Sequence, residues 1–141
     1  MKTIEIIVPM KMRRYLLLLS GDKQWYVTKR LPNEFERNVR IRCHVYVSNH
    51  RMGYEGLSGH ICGTFDTNRI KCLKWKGDGW EKSRETDEWD VGFTKNEKKK
   101  LEGDDLWLWN IKNVEIFSDP KELSEYGRTA PPTMWTYLGE S

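Results

Sequence analysis

Cysteine is scarce in this chain, and the few cysteines present exclude the disulfide frameworks that hold small secreted domains together. Cys43, Cys62 and Cys72 are odd in number, and their spacing matches no such framework. Long hydrophobic runs are absent as well, since the run from Leu16 to Leu19 is far too short to cross a bilayer. No secretory signal is recognisable, so we expect reduced thiols and a cytoplasmic protein.

The signature motifs of several large enzyme classes are also missing. The sequence contains no Walker loop, no GxGxxG, no HExxH and no GxSxG, which argues against the chemistries that depend on them. Cys43, His44, His60 and Cys62 lack the paired spacing of a structural zinc site. Cys43 and His44 would moreover point to opposite faces of a strand. We therefore expect neither a metal nor a cofactor.

What the sequence does contain is typical of a folded domain rich in aromatic residues. Its 141 residues fit a single domain, spanning 1–141, with 38% hydrophobic and 32% charged residues. Seven Trp and six Tyr are many for this length, so we expect some of them to line a pocket. The net charge of +3 permits an anionic partner without requiring one.

The order of the hydrophobic patterns predicts an α+β fold that is mainly β. Strand patterns occur along the whole chain without a βαβ rhythm, which favours a small mixed or antiparallel β-barrel with short peripheral helices. A tryptophan-rich excursion between Lys74 and Asp90 is long enough to suggest a functional loop. The predicted strands are 3–8, 24–30, 39–47, 60–73, 106–117 and 134–138, and the predicted helices are 11–19, 95–101 and a short one starting at Asp119 and Pro120.

Two local signals are especially clear. The segment 39–47 alternates throughout, with an apolar face and a face carrying Arg40 and Arg42. That second face is either an ordinary solvated surface or one that meets a polyanion. Thr94 and Glu97 form a capping-box pattern that predicts the start of a helix.

The stretch around residues 20–30 predicts a helix, a tight turn and a strand. Ser20, Gly21 and Asp22 have turn chemistry, because glycine tolerates positive φ and the other two can bond the local backbone. The turn places Lys23 on a rim beside two aromatic residues, Trp25 and Tyr26. A cation beside aromatic rings suits a nucleotide, whereas the alternative is an ordinary surface lysine.

The chain resembles the ASCH domain, a relative of the PUA domain, in the longer form common in phage and bacterial proteins. The resemblance depends on the order of several short motifs rather than on any one of them. These motifs are PMKMRRY with LLSGDKQWYVTKRLP, VYVSNH followed by ICGTF, and GFTKNEKKKLEG followed by PPTMWTYL. Within the family motif Gly21, Lys23 and Lys29 match, while Tyr26 replaces the usual glutamate and Thr28 the usual arginine.

The resemblance implies a small barrel whose cleft binds RNA or a nucleotide, and the partner expected is a single-stranded RNA or a modified nucleoside. Lys23 with neighbouring cations would hold phosphate, and Trp25, Tyr26 or a tryptophan of the excursion would stack a base. The expected nucleic-acid-binding residues are Lys11, Gly21, Lys23, Trp25, Lys29, Arg30, Arg40 and Arg42.

Two alternatives remain open beside a binding module. Some small members of the family are amidohydrolases acting on acetylated cytidine, and a ribonuclease activity has also been proposed in the family. For this chain the implied catalytic residues are Lys23 as base or nucleophile, Tyr26 at the threonine position and Asp66 as the acidic partner. The other alternative is an interaction protein that uses the barrel only as a scaffold.

Overall fold

The computed structural model describes residues 2–21, 25–31, 39–48 and 53–140. Within these ranges the chain forms eight strands, two α-helices and one 3-10 turn. In chain order the elements are β1 (Lys2–Met10), α1 (Met12–Ser20), β2 (Trp25–Thr28), β3 (Val39–Val47), β4 (Ile61–Thr67), β5 (Ile70–Leu73), α2 (Lys95–Leu101), β6 (Leu106–Asn110), β7 (Lys112–Lys121), the 3-10 turn (Leu123–Tyr126) and β8 (Thr136–Glu140).

The described strands form two sheets. The larger sheet has the order β7-β4-β3-β1-β8, and the smaller has the order β2-β6-β5. Only the β1–β3 pair is parallel among these ladders, so the predicted mainly β, mixed α+β class is confirmed. The predicted closed barrel is not confirmed, because no ladder joins the two sheets in the described part of the chain.

The main core lies between α1 and the inner face of the larger sheet. The apolar face predicted for β3 is confirmed, because Ile41, Cys43 and Val45 are all buried. Tyr15 and Leu18 of α1 pack over them, and alternate residues of the neighbouring strand β1 belong to the same cluster. Each large apolar side chain buried here contributes about 1.5–3 kcal/mol to folding. This packing fixes α1 above the sheet and so fixes the junction between β1 and α1.

Local sequence accounts for where α1 ends and where α2 begins. Gly21 ends α1 in the left-handed region, with φ of 81°, which confirms the turn predicted there. The capping box at the start of α2 is present, with Thr94 and Glu97 bonding each other's backbone N–H groups. Among the described residues, no helix combines the length and apolar character needed to cross a membrane.

Three segments differ from the sequence predictions. The strand region predicted over 106–117 divides into β6 and β7, which belong to different sheets. The extended stretch 60–73 divides into β4 and β5, which belong to different sheets. The helix predicted at Asp119 and Pro120 is wrong, because both residues lie in β7. That strand is at the edge of its sheet, where a proline without an N–H donor is tolerated. The turn that follows starts instead after Glu122, which makes its own capping box.

Candidate functional site

A cleft opens where the β1–α1 junction, β2 and the segment before β8 meet. Its volume is about 360 Å³, which is within the range of small-molecule sites. The described residues that line it are Pro9, Met10, Lys11, Arg14, Tyr26, Val27, Thr28, Lys29, Arg30, Ser48, Thr133, Met134 and Trp135. We refer to this cavity as the cleft.

The cleft is lined by cations without acidic neighbours in its wall. Lys11, Arg14, Lys29 and Arg30 contribute four positive charges, and none of the described lining residues is Asp or Glu. Lys11 and Arg30 form no ion pair with another residue in the described ranges. Neither cation is therefore neutralised by a carboxylate of the described residues.

Lys29 is bonded to the C-terminal end of α2. Its Nζ donates to the carbonyl oxygen of Lys100 at 3.0 Å and lies 3.0 Å from the carboxylate of Asp104. The cation is thus partly neutralised from outside the cleft. Lys29 joins the wall formed by β2 to the loop after α2, and it contributes less free charge than its position suggests.

Arg14 is a cleft residue that the sequence analysis missed. Its guanidinium carbon lies 4.0 Å from the centre of the Phe93 ring, and its Nη2 forms an ion pair with Glu97. The signal that could have identified it is its spacing from Lys11, because residues three apart share one side of a helix. Arg14 and Lys11 both line the cleft from α1 and its N-terminal boundary.

Aromatic and apolar groups complete the cleft. Trp135 and Met134 line it from the segment before β8, and 45% of Met134 is exposed. Tyr26 lines it from β2 but is only 8% exposed. Its ring packs against Trp109 and Phe65, with ring centres 5.7 and 6.0 Å away. The cleft therefore has a half-buried indole and an exposed methionine on one side and the buried Tyr26 ring as its floor.

The Tyr26 hydroxyl is already used within the fold. It donates a hydrogen bond to the carbonyl oxygen of Pro9 at 3.2 Å, and burial raises its pKa far above the ordinary value. The phenol is therefore neutral at physiological pH. In this arrangement it ties β2 to the end of β1 and closes the floor of the cleft.

Thr28 holds the end of β2 in place. Its hydroxyl accepts from Nε1 of Trp109 at 3.0 Å and donates to the carbonyl oxygen of Arg30 at 2.9 Å. The side chain thus connects the buried centre of the smaller sheet to the turn that carries Arg30. At this position, where the resembled family has an arginine, the chain uses threonine to shape the cleft wall.

Trp25 and Gly21, both expected in the cleft, lie elsewhere. Trp25 precedes Tyr26 in β2, and because neighbouring side chains of a strand alternate, it points to the opposite face. There it packs with Leu108 and Leu73 and lines a separate cavity of about 430 Å³ together with Gly21. Lys23 lies outside the described residues, so its role stays a prediction.

Arg40 and Arg42 lie on the outer face of the larger sheet, in a network of acidic partners. Cross-strand pairing places four charged residues side by side in alternating sign, and we call them the outer charged row: Glu5, Arg42, Asp66 and Lys112. Arg42 Nε lies 3.4 Å from an Asp66 oxygen, and Arg40 Nη1 lies 3.7 Å from the other. These arginines are therefore largely neutralised by neighbours.

Asp66 and Tyr26 do not share a cavity. Asp66 accepts from Nδ2 of Asn113 at 3.2 Å and lines a small cavity of about 240 Å³ that also contains Arg40. Its neighbour Phe65 points into the core toward Tyr26, so strand alternation directs Asp66 to the opposite face. The proposed catalytic set is thus divided between two faces of the fold, as far as the described residues go.

The histidines and cysteines considered for a metal site are each engaged separately. His44 Nε2 lies 3.1 Å from Glu5 and its Nδ1 lies 3.0 Å from the Tyr126 hydroxyl. Cys43 is fully buried, which raises the pKa of its thiol. Within the described ranges no group of three or more His, Cys, Asp or Glu is placed to hold a metal ion.

Comparison with known proteins identifies the fold and nothing finer. No family model matches the sequence, and no curated protein matches it. The crystal structure of ASCH from Zymomonas mobilis is similar with a TM-score of 0.57 and 14% identity, over 95% of this chain and 87% of that chain. Two mutant proteins of the same ASCH give TM-scores of 0.62 and 0.58, at 14% and 12% identity, over 95% of this chain and 87% and 89% of theirs. The chain therefore has an ASCH-type fold, as the sequence motifs predicted.

Proposed function

We propose that this protein binds single-stranded RNA through the cleft, holding a phosphate group with its cations and a base against Trp135. The observation that carries the proposal is the composition of the wall. Four cationic side chains line the cleft, and no carboxylate is found among its described lining residues. Such a wall favours a ligand that is negatively charged on one side and flat on the other.

The size of the cleft favours one nucleotide of a flexible strand over a duplex. Its volume of about 360 Å³ is small, and the buried ring of Tyr26 limits its depth. Single-stranded RNA can turn a base out of the strand and stack it on an aromatic side chain. Such stacking contributes about 1–3 kcal/mol per base. Lys11 and Arg30 are the cations best suited to the adjacent phosphate, because neither is paired within the described ranges.

Lys23 extends the proposal beyond the described residues. It lies between Gly21 and Trp25, three positions before the floor residue Tyr26. The family resemblance implies that this lysine faces the ligand. We therefore expect Lys23→Ala to weaken RNA binding, in addition to the effects of substitutions in the cleft.

The test is the salt dependence of binding to a labelled single-stranded RNA, measured by fluorescence anisotropy. Affinity should fall as salt rises, with a slope in log units of about 0.7 for each phosphate contact to a single strand. Lys11→Gln should reduce that slope by about 0.7. A duplex of the same sequence serves as the comparison and should bind more weakly. Binding that is insensitive to both salt and Lys11→Gln would contradict the proposal.

Hydrolysis of a modified nucleoside is not favoured by any contact among the described residues of the cleft. Asp66 lies on the outer face with Arg40 and Arg42, and the Tyr26 hydroxyl donates to Pro9. Incubating the protein with acetylated cytidine and assaying for cytidine is the direct check. Turnover there would replace a binding role with an enzymatic one.

A further inference from the structure

The chain just before α2 lies along one side of α1, next to the cleft. Gly92 has φ of 86°, and a β-carbon there would come within 2.3 Å of Cδ1 of Leu17. Phe93 lies against the guanidinium of Arg14, and Glu97 pairs with the same side chain. Positions 14 and 17 are one helical turn apart, so the contacts follow a single side of α1.

Arg14 is held on more than one side. Phe93 covers a face of its guanidinium at 4.0 Å, while Glu97 holds Nη2. Its Nε is buried and has no hydrogen-bond partner among the described residues. Only 21% of the side chain is exposed. A planar guanidinium fixed in this way presents its remaining edge to the cleft with little rotational freedom.

An aromatic chain supports Phe93 from behind. Trp89 lies 5.5 Å from Phe93, Trp80 lies 5.1 Å from Trp89, and Trp75 lies 4.9 Å from Trp80, all between ring centres. The Trp75–Trp80 and Trp80–Trp89 pairs meet edge to face, a geometry that favours aromatic contact. Trp80 is anchored in turn, because its Nε1 donates to the carbonyl oxygen of Asp104 at 2.8 Å.

We propose that Phe93 and Glu97 are positioning residues for Arg14, and that the tryptophan-rich excursion (74–90) is the support that keeps Phe93 in place. The excursion would then determine how strongly the cleft holds a phosphate, although none of its residues is in the described lining of the cleft. A fixed guanidinium forms paired hydrogen bonds to phosphate with a smaller entropic loss. This inference depends on the proposed RNA-binding function, and its test separates the two.

The first measurement is RNA affinity in variants of the two positioning residues. Phe93→Ala should weaken binding of the labelled single strand about fivefold, because the cation loses its aromatic support. Phe93→Tyr keeps an aromatic face and should restore the affinity. Glu97→Gln should weaken binding about threefold, since glutamine can still complete a capping box but cannot form the ion pair.

Two controls separate positioning from stability. Thr94→Ala removes the other half of the capping box but leaves the Glu97 carboxylate, so it should lower the melting temperature and leave affinity unchanged. Arg13→Ala removes the second cation that pairs with Glu97 and lies outside the cleft lining, so it should also leave affinity unchanged. Tighter binding in Glu97→Gln would show that the carboxylate competes with phosphate, which would overturn the inference.

The second measurement needs no RNA. The Nε–H resonance of Arg14 in NMR spectra should indicate an ordered, slowly exchanging group in the wild type and in Phe93→Tyr, and a mobile one in Phe93→Ala. An Arg14 that stays ordered in Phe93→Ala and in Glu97→Gln overturns the inference. If the wild type fails to bind RNA, the proposed function falls and this resonance alone decides the positioning role. If the wild type binds and Arg14 becomes mobile without loss of affinity, positioning contributes nothing to binding.

Discussion

The cleft and the outer charged row contain the same kinds of cation in opposite surroundings. On the outer face, strand register places Arg42 between Glu5 and Asp66. In the cleft, Lys11 and Arg30 have no ionic partner within the described ranges. The difference shows that a count of basic residues says little about anion binding. What differs between these cations of the two regions is whether the fold places a carboxylate directly across from them.

The most direct test of this difference is to replace two cations of the cleft, and separately two cations of the outer face, with glutamine. Lys11→Gln with Arg30→Gln should lower RNA affinity about 30-fold, because two charged phosphate contacts are lost. Arg40→Gln with Arg42→Gln on the outer face should change affinity less than about twofold, since both cations are already paired with Asp66 and paired surface cations contribute little. Equal losses in the two double variants would contradict the distinction.

The aromatic side of the cleft gives the next largest effect. Trp135→Ala should lower affinity about tenfold by removing the stacking surface, and the loss should be nearly independent of salt. Tyr137→Ala is the matched control, because Tyr137 is 38% exposed on the neighbouring strand but does not line the cleft. Anisotropy titrations at two salt concentrations measure both. A salt-dependent loss in Trp135→Ala would mean that the indole acts through the cations.

A third change should make the outer face behave like the cleft. Asp66→Asn leaves Arg40 without a charged partner in the described ranges and Arg42 with Glu5 alone, and should lower the free energy of unfolding by about 1–2 kcal/mol. It should also create weak, salt-sensitive RNA binding that persists when the cleft cations are neutralised. Asp119→Asn removes the same charge from an exposed site on the same sheet and should do neither. Denaturant unfolding and anisotropy together provide the readout.

The smallest expected effect is on the pH dependence of stability, and it involves His44 on the same outer face. Burial lowers the pKa of His44 below its ordinary value of 6.5, against an opposing contribution from Glu5; nearby Arg42 and Lys121 lower it further. Below pH 6.5 the unfolded chain therefore binds more protons than the folded one, and stability falls as pH decreases. His44→Gln should flatten this dependence between pH 7 and the lower folded pKa. RNA binding in the cleft should not follow it.

The fold was most predictable where the signals are local. The alternation over 39–47 and the capping box of Thr94 and Glu97 both appear in the structure at the predicted residues. The helix predicted at Asp119 was wrong because an aspartate before a proline suits a helix start as well as an edge strand, and only sheet position separates the two. The division of 60–73 between two sheets is likewise a tertiary choice that no local pattern records.

The candidate site was only partly predictable from the sequence. Some errors came from ignoring the alternation of side chains along a strand, and others from contacts between distant segments. Trp25 and Tyr26 are adjacent in a strand, so their side chains point to opposite faces of the sheet, and alternation alone could have shown that they do not act together. Lys11, Lys29 and Arg30 were expected and do line it. Arg14 and Trp135 were missed as ligand-facing residues, because their positions depend on how α1 and the approach to β8 meet. Charge compensation on the outer face depends on strand register, which the sequence does not state.

The parts of the cleft wall are far apart along the chain. Residues 9–30 and Ser48 form one part, and 133–135 form the other. During synthesis the ligand site would therefore remain incomplete until Trp135 had left the ribosome and β8 had paired with β1. The proposed RNA binding would thus report a finished fold, because a partly made chain would have the cations of the cleft without Trp135.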